Sequence, residues 1–152
     1  MPDNLVELQQ LQSAYADVVS RRAWSEIERL FLPDITVEVD TVSSPARTFT
    51  GPAEFIAFVS AACERFDHFQ FVILNSVISV AGDNGTGRIF MSEIRHHTEE
   101  QEWSTAYGLY SDRYRKVDGT WWFAERRYRS LARTGPNAGI FGLPPDLPQI
   151  GR

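Results

Sequence analysis

The chain has 152 residues, 43% hydrophobic, 23% charged and 12% aromatic, with a formal net charge of −5. That length is enough for one domain with a substantial core. The acidic balance argues against nucleic acid or an anionic membrane surface as partner, because both need clustered, uncompensated Lys and Arg. The single cysteine, Cys63, excludes an intramolecular disulfide, no apolar run approaches a membrane span, and Met1-Pro2-Asp3 lacks the basic start of a leader, so a cytoplasmic location is expected.

Leu5, Leu8, Leu11, Tyr15, Val18 and Val19 recur at helical spacing, with Asp3 or Asn4 as cap. Ser25-Glu26-Ile27-Glu28 reads as a capping box, which predicts a second helix from Ser25 to about Leu32, ended by Pro33-Asp34. Ile35–Asp40 alternates β-branched and acidic residues, as a strand with one wet face does. Strict alternation sends Val37 and Val39 inward and Glu38 and Asp40 outward; a bulge would invert this. Arg47-Thr48-Phe49 is its short partner. Gly51-Pro52 opens a third helix with Pro at its first position, and Phe55, Ile56, Val59, Ala62, Cys63 and Phe66 mark its buried stripe.

Two long strands follow, His68–Ala81 and Thr86–His97, joined through Gly82-Asp83-Asn84-Gly85. Glu102–Leu131 is the strongest hairpin signal: alternating strands flank Asp118-Gly119, a pair that supplies the positive φ angles of a two-residue turn. Both faces of its first strand carry aromatics, so one is expected to wall a pocket and the other to meet a second copy, as a homodimer or homotrimer. The order gives a cone domain over 1–131 and a Gly/Pro-rich tail over 132–152 that packs on the domain or on a partner subunit. The class is α+β: a strongly curved, mixed or antiparallel sheet wrapped around the N-terminal helices as a cone-shaped barrel with an internal cavity.

Chemistry-bearing residues are few. His68 opens a strand among aromatics; it reads either as a structural residue or as a group poised for proton transfer. Tyr15 lies on the apolar helical stripe, and Asp17 is one of the few acids near it, with a solvent-facing role as the competing account. Glu93 and Arg95 share a strand face with Met91 and His97, the pattern of a cross-strand ion pair or of a buried base. His96-His97 with Glu99-Glu100 invites a metal, but adjacent strand residues point to opposite faces, and no metal site is expected. No Gly-rich phosphate loop opens a helix, so no nucleotide cofactor is indicated.

Three segments carry a family resemblance: Tyr15 and Trp24 with Leu30-Phe31-Leu32-Pro33-Asp34; Phe49-Thr50-Gly51-Pro52-Ala53-Glu54-Phe55; and Gly108–Tyr114 with Asp118–Arg127. Together they resemble the SnoaL-like branch of the nuclear-transport-factor-2-like superfamily, near scytalone dehydratase and hexachlorocyclohexane dehydrochlorinase. The resemblance implies a cofactor-independent enzyme acting on a hydrophobic or aromatic small molecule by dehydration, elimination or isomerisation. It places a catalytic His at His68, a phenolic donor at Tyr15 and a pocket Arg at Arg126. Its catalytic Asp would fall at Ser20, a departure that leaves Asp17, one turn earlier, as the substitute. Tyr107, Tyr110, Trp24 and Glu93 complete the expected substrate wall. The fold also hosts non-catalytic binding modules and the small subunits of ring-hydroxylating dioxygenases, which stand as alternatives.

Overall fold

The computed structural model describes residues 3–150. Helix α1 (Asn4–Ser20) starts where the sequence places it: the Asp3 carboxylate accepts the Leu5 and Val6 backbone N–H groups at 3.0 and 3.4 Å. It buries Leu8, Leu11, Gln12, Tyr15, Val18 and Val19. Its end is fixed by Arg22, in the left-handed region at φ 59°, whose guanidinium donates to the Cys63 and Phe66 carbonyls at 3.0 and 2.6 Å.

The second helix differs from expectation. Trp24–Arg29 is a 3-10 helix capped at Ala23 without any side-chain hydrogen bond, so Ser25 and Glu28 form no capping box. The cause is tertiary. Buried Phe31 and Leu32 already belong to strand β1 (Phe31–Asp40), leaving too few residues for a regular helix. Pro33 is tolerated there because the pairing register slips between Phe31 and Thr36, where its missing N–H breaks no ladder bond. Strand β2 (Arg47–Thr50) pairs antiparallel with β1, and Gly51 at φ 80° turns the chain into helix α2 (Pro52–Cys63).

The remaining strands are β3 (Phe66–Ala81), β4 (Asn84–His97), β5 (Glu102–Val117), β6 (Thr120–Arg133) and β7 (Gly139–Ile140). Asp118 and Gly119, at φ 51° and 80°, make the hairpin turn that their identities predict. The sheet has seven strands in the order β2-β1-β6-β5-β4-β3, with β7 added to β6. Among the described residues only β1 with β6 is parallel, so the sheet is mixed. Extra residues at Asp67 and Leu74 in β3, and at Ala124 and Leu131 in β6, bend the long strands around α1 into a cone. Gly108 is required by packing: a Cβ there would lie 2.7 Å from the Tyr128 ring.

Tyr15 sits at the centre of the core, its ring against Phe31, Phe71, Tyr110 and Phe123. On the outer face Trp103, 63% exposed, packs against the His68 and His96 rings, and Tyr107 lies in the row of Ser92 and Val72. After β7 the chain crosses the outer side of the sheet, where Arg88 donates to the Pro148 carbonyl. No helix among the described residues is long and apolar enough to cross a membrane.

Candidate active site

The inner faces of β3 to β6, the C-terminal half of α1 and helix α2 enclose a cavity of about 280 Å³. Val19, Val39, Phe55, Phe58, Phe69 and Phe71 supply much of its apolar wall. Alternation along β1 holds, so Val37 is buried and Val39 lines the space, while Asp40 faces out and accepts from Arg129 at 3.3 Å. Three polar lining residues come from β4. Glu93, Arg95 and His97 are successive inward residues of one strand, about 6.5 Å apart at the backbone.

Glu93 is the centre of this set. Its side chain is 21% exposed, and burial raises its pKa, an effect that Arg95 opposes only in part. The nearest charged atom, Arg95 Nη1, is 3.8 Å away, beyond hydrogen-bond distance. The Glu93 charge is felt by Tyr15, Tyr110, Tyr128 and Cys63, which all line the same cavity. Burial lifts Tyr15 to about 12, with Arg126 pulling the other way, and raises Tyr110 and Tyr128. At neutral pH these phenols are protonated donors. Cys63 is likewise pushed up to about 12 by burial and is a poor nucleophile.

Arg95 and His97 meet at Ser104 of β5. Arg95 Nε donates to Ser104 Oγ at 3.1 Å, and His97 Nε2 lies 2.6 Å from the same oxygen. An arginine can only donate, so Ser104 Oγ accepts from Arg95 and uses its remaining lone pair or its proton toward His97 Nε2. Burial lowers the His97 pKa, and Arg95 adds to the effect. His97 Nδ1 lies 4.0 Å from a Glu100 carboxylate oxygen.

Behind the cavity, Arg126 is fully buried. Its Nε donates to Asp112 Oδ1 at 2.8 Å, and its Nη2 donates to Asp112 Oδ2 and Gln12 Oε1, each at 3.2 Å. Gln12 Nε2 in turn donates to Asp112 Oδ2 at 2.7 Å and contacts the Tyr114 hydroxyl at 2.6 Å. Burial disfavours the guanidinium, but its pairing with the Asp112 carboxylate opposes this and its pKa is raised. The cation lies 3.8 Å from the Tyr110 ring centre and 4.4 Å from that of Tyr15.

The residues expected from sequence therefore divide. Tyr15, Tyr110 and Glu93 are brought together in the cavity. Arg126 lies beneath them, screened from the space by the two tyrosines, rather than on the wall. His68 is exposed on the outer face: the bulge at Asp67 turns Phe66, Phe69 and Phe71 inward and His68 outward, against Trp103. Asp17 is exposed and paired with Arg21 at 2.9 Å. Tyr107 also faces out, and Trp24 packs on the edge of the core away from the lining. Ser20 ties α1 to β3: its Oγ accepts the Phe71 N–H at 2.9 Å.

Sequence reasoning did not single out Gln12, Asp112 or His97 for the site. The His97 signal was the shared alternation with Glu93 and Arg95. For Gln12, a lone amide on an apolar helical stripe was the available cue.

A sequence model of the SnoaL-like domain matches residues 4–127. A search of curated proteins gave no match. Among solved structures, a protein of Novosphingobium aromaticivorans DSM 12444, provisionally assigned as a scytalone dehydratase, superposes with a TM-score of 0.78 at 21% identity, covering 95% of each chain. A type 2 hexachlorocyclohexane dehydrochlorinase gives 0.76 at 19% identity over 93% of this chain and 94% of that one. The type 3 enzyme of Novosphingobium barchaimii LL02 gives 0.74 at 22%, covering 92% of this chain and 94% of its own. Identities this low establish a shared fold and leave the chemistry to each site. With the family match spanning most of its length, the chain belongs to the SnoaL-like domain family.

Proposed function

We propose that this protein is an enzyme that transfers a proton to or from carbon on a hydrophobic small molecule held in the cavity, giving elimination or isomerisation. The observation that carries the reading is Glu93, a carboxyl with a raised pKa placed among protonated phenols and apolar walls. A carboxylate so desolvated is a stronger base than one in water. In the forward direction Glu93 takes a proton from carbon. The C–H electron pair either becomes a double bond as a neighbouring hydroxide or halide departs, or shifts onto a carbonyl oxygen. Tyr15 and Tyr110 donate hydrogen bonds to the oxygen on which charge develops. Arg126 acts through the tyrosines by holding their rings and lowering the cost of negative charge on them. In this proposal the base role falls to Glu93 rather than to His68 and Asp17, which face solvent.

The test is hydrogen–deuterium exchange at carbon, followed by proton NMR in D₂O, over a panel of bicyclic ketones, β-hydroxyketones and halogenated rings. Glu93→Gln is expected to lower exchange of any active compound by about 10²–10⁴-fold, and His68→Ala to leave it unchanged. Wild-type exchange in Glu93→Gln refutes the assignment. Ser20 favours a second reading, a non-catalytic ligand-binding module, because it serves as a helix–strand tie where the resemblance puts a catalytic acid. Binding without exchange by any compound would support that reading.

A further inference from the structure

Among the described residues Glu93 is the only carboxylate lining the cavity, but three guanidinium groups line it: Arg65, Arg95 and Arg133. Arg133 is tied to neutral acceptors, with Nη1 on the Thr41 carbonyl and Ser130 Oγ and Nη2 on Ser43 Oγ. Its charge therefore has no carboxylate partner there. Arg65 and Arg95 both stack on Phe66, at 4.9 and 5.3 Å from the ring centre, so two like charges share one ring. Arg95 is only 6% exposed, and its sole hydrogen bond among the described residues is from Nε to Ser104. Its two terminal nitrogens make no hydrogen bond to the protein, and the residue lines the cavity. A buried cation normally carries a paired acceptor, because an unsatisfied one is costly. Glu93 Oε1, 3.8 Å from Arg95 Nη1, forms a long ion pair with it but accepts no hydrogen bond from it.

We propose that the missing acceptor is supplied by the ligand: the cavity takes a small aromatic molecule bearing a carboxylate, received by the Nη atoms of Arg95 with Arg65 at the rim. This rests on the reading of the cavity as the ligand site. A planar guanidinium with both terminal nitrogens open matches a carboxylate bidentately. The volume suits one or two fused rings, and Phe66, Phe69 and Phe71 offer faces to stack on. A neutral ligand of the same shape would leave the three cations as they are.

Isothermal titration calorimetry with 2-naphthoate and its neutral isostere 2-naphthamide tests this. The wild type is expected to prefer naphthoate by about tenfold or more, the gain of one charge-assisted pair. That preference should fall with added salt, and Arg95→Met should bring it close to parity. Arg65→Met, at an exposed position that does not endanger folding, should reduce it by a smaller factor. Equal affinity for the two ligands in the wild type would overturn the anion assignment and leave the cavity reading standing. A naphthoate preference that survives both substitutions would also overturn it. Failure of both ligands to bind would count against the cavity reading itself, and with it this inference.

Discussion

Replacing Asp112 with Ala is the sharpest test of how the closed end of the cone is built. Asp112 accepts hydrogen bonds from Arg126 Nε and Nη2, Gln12 Nε2 and the Tyr114 hydroxyl, at 2.7–3.2 Å. Without it Arg126 keeps one hydrogen bond, to Gln12 Oε1, in a site with no access to water. Its Nη1 already lacks a partner, so nothing nearby can absorb the loss. An uncompensated buried charge costs about 3–5 kcal/mol, and for a chain of this length each kcal/mol moves Tm by about 2–4 °C. Urea unfolding followed by tryptophan fluorescence should give that loss with little change in m, and Tm should fall by about 6–20 °C. The double variant Asp112→Leu with Arg126→Met removes both charges and fills the volume. It should be more stable than Asp112→Ala alone, because the penalty lies in the orphaned cation rather than in the lost bonds. A loss under about 1 kcal/mol in Asp112→Ala, or strictly additive effects in the cycle, would show that the pair does not organise the core.

Glu93→Gln should also change stability with pH. The folded-state pKa of Glu93 is raised, so between the unfolded value and the folded one the native state holds more protons. Its favourable contribution is complete below about pH 4 and is lost as pH rises through the folded pKa. The variant should match wild type in acid and be the more stable near neutrality, in urea titrations across pH; a constant difference would contradict this. Gly108→Ala should destabilise, by about 1–3 kcal/mol, although Ala usually improves a strand, because the added Cβ meets the Tyr128 ring; an unchanged Tm would show that the ring can yield. Sedimentation equilibrium should find more than one copy per particle, with Trp103→Glu shifting it toward monomer, since Trp103 and Tyr107 stand exposed on the outer face; a monomeric wild type would refute this.

Much of this architecture is determined by short-range chemistry that a sequence displays. Asp3 before a helical stripe, Gly51-Pro52 and Asp118-Gly119 each specify a local conformation almost alone, and the family segments lie on these same elements. The alternation that sends Val39 into the cavity and Asp40 outward is also readable, because nothing interrupts β1 between Thr36 and Asp40. What the tertiary structure decided is phase and depth. One bulge at Asp67 reverses the faces of β3 and carries His68 out of the site, and bulges arise from how a strand must bend, not from its own residues. The 3-10 segment after α1 is short because β1 begins early to bury Phe31. Arg126 sits beneath Tyr15 and Tyr110 only because Gln12 and Asp112, a hundred residues apart in the chain, meet there to receive it. Pairing over such separations has no local signature. It sets which charges are buried, and so whether a given carboxyl or imidazole can hold a proton near neutral pH.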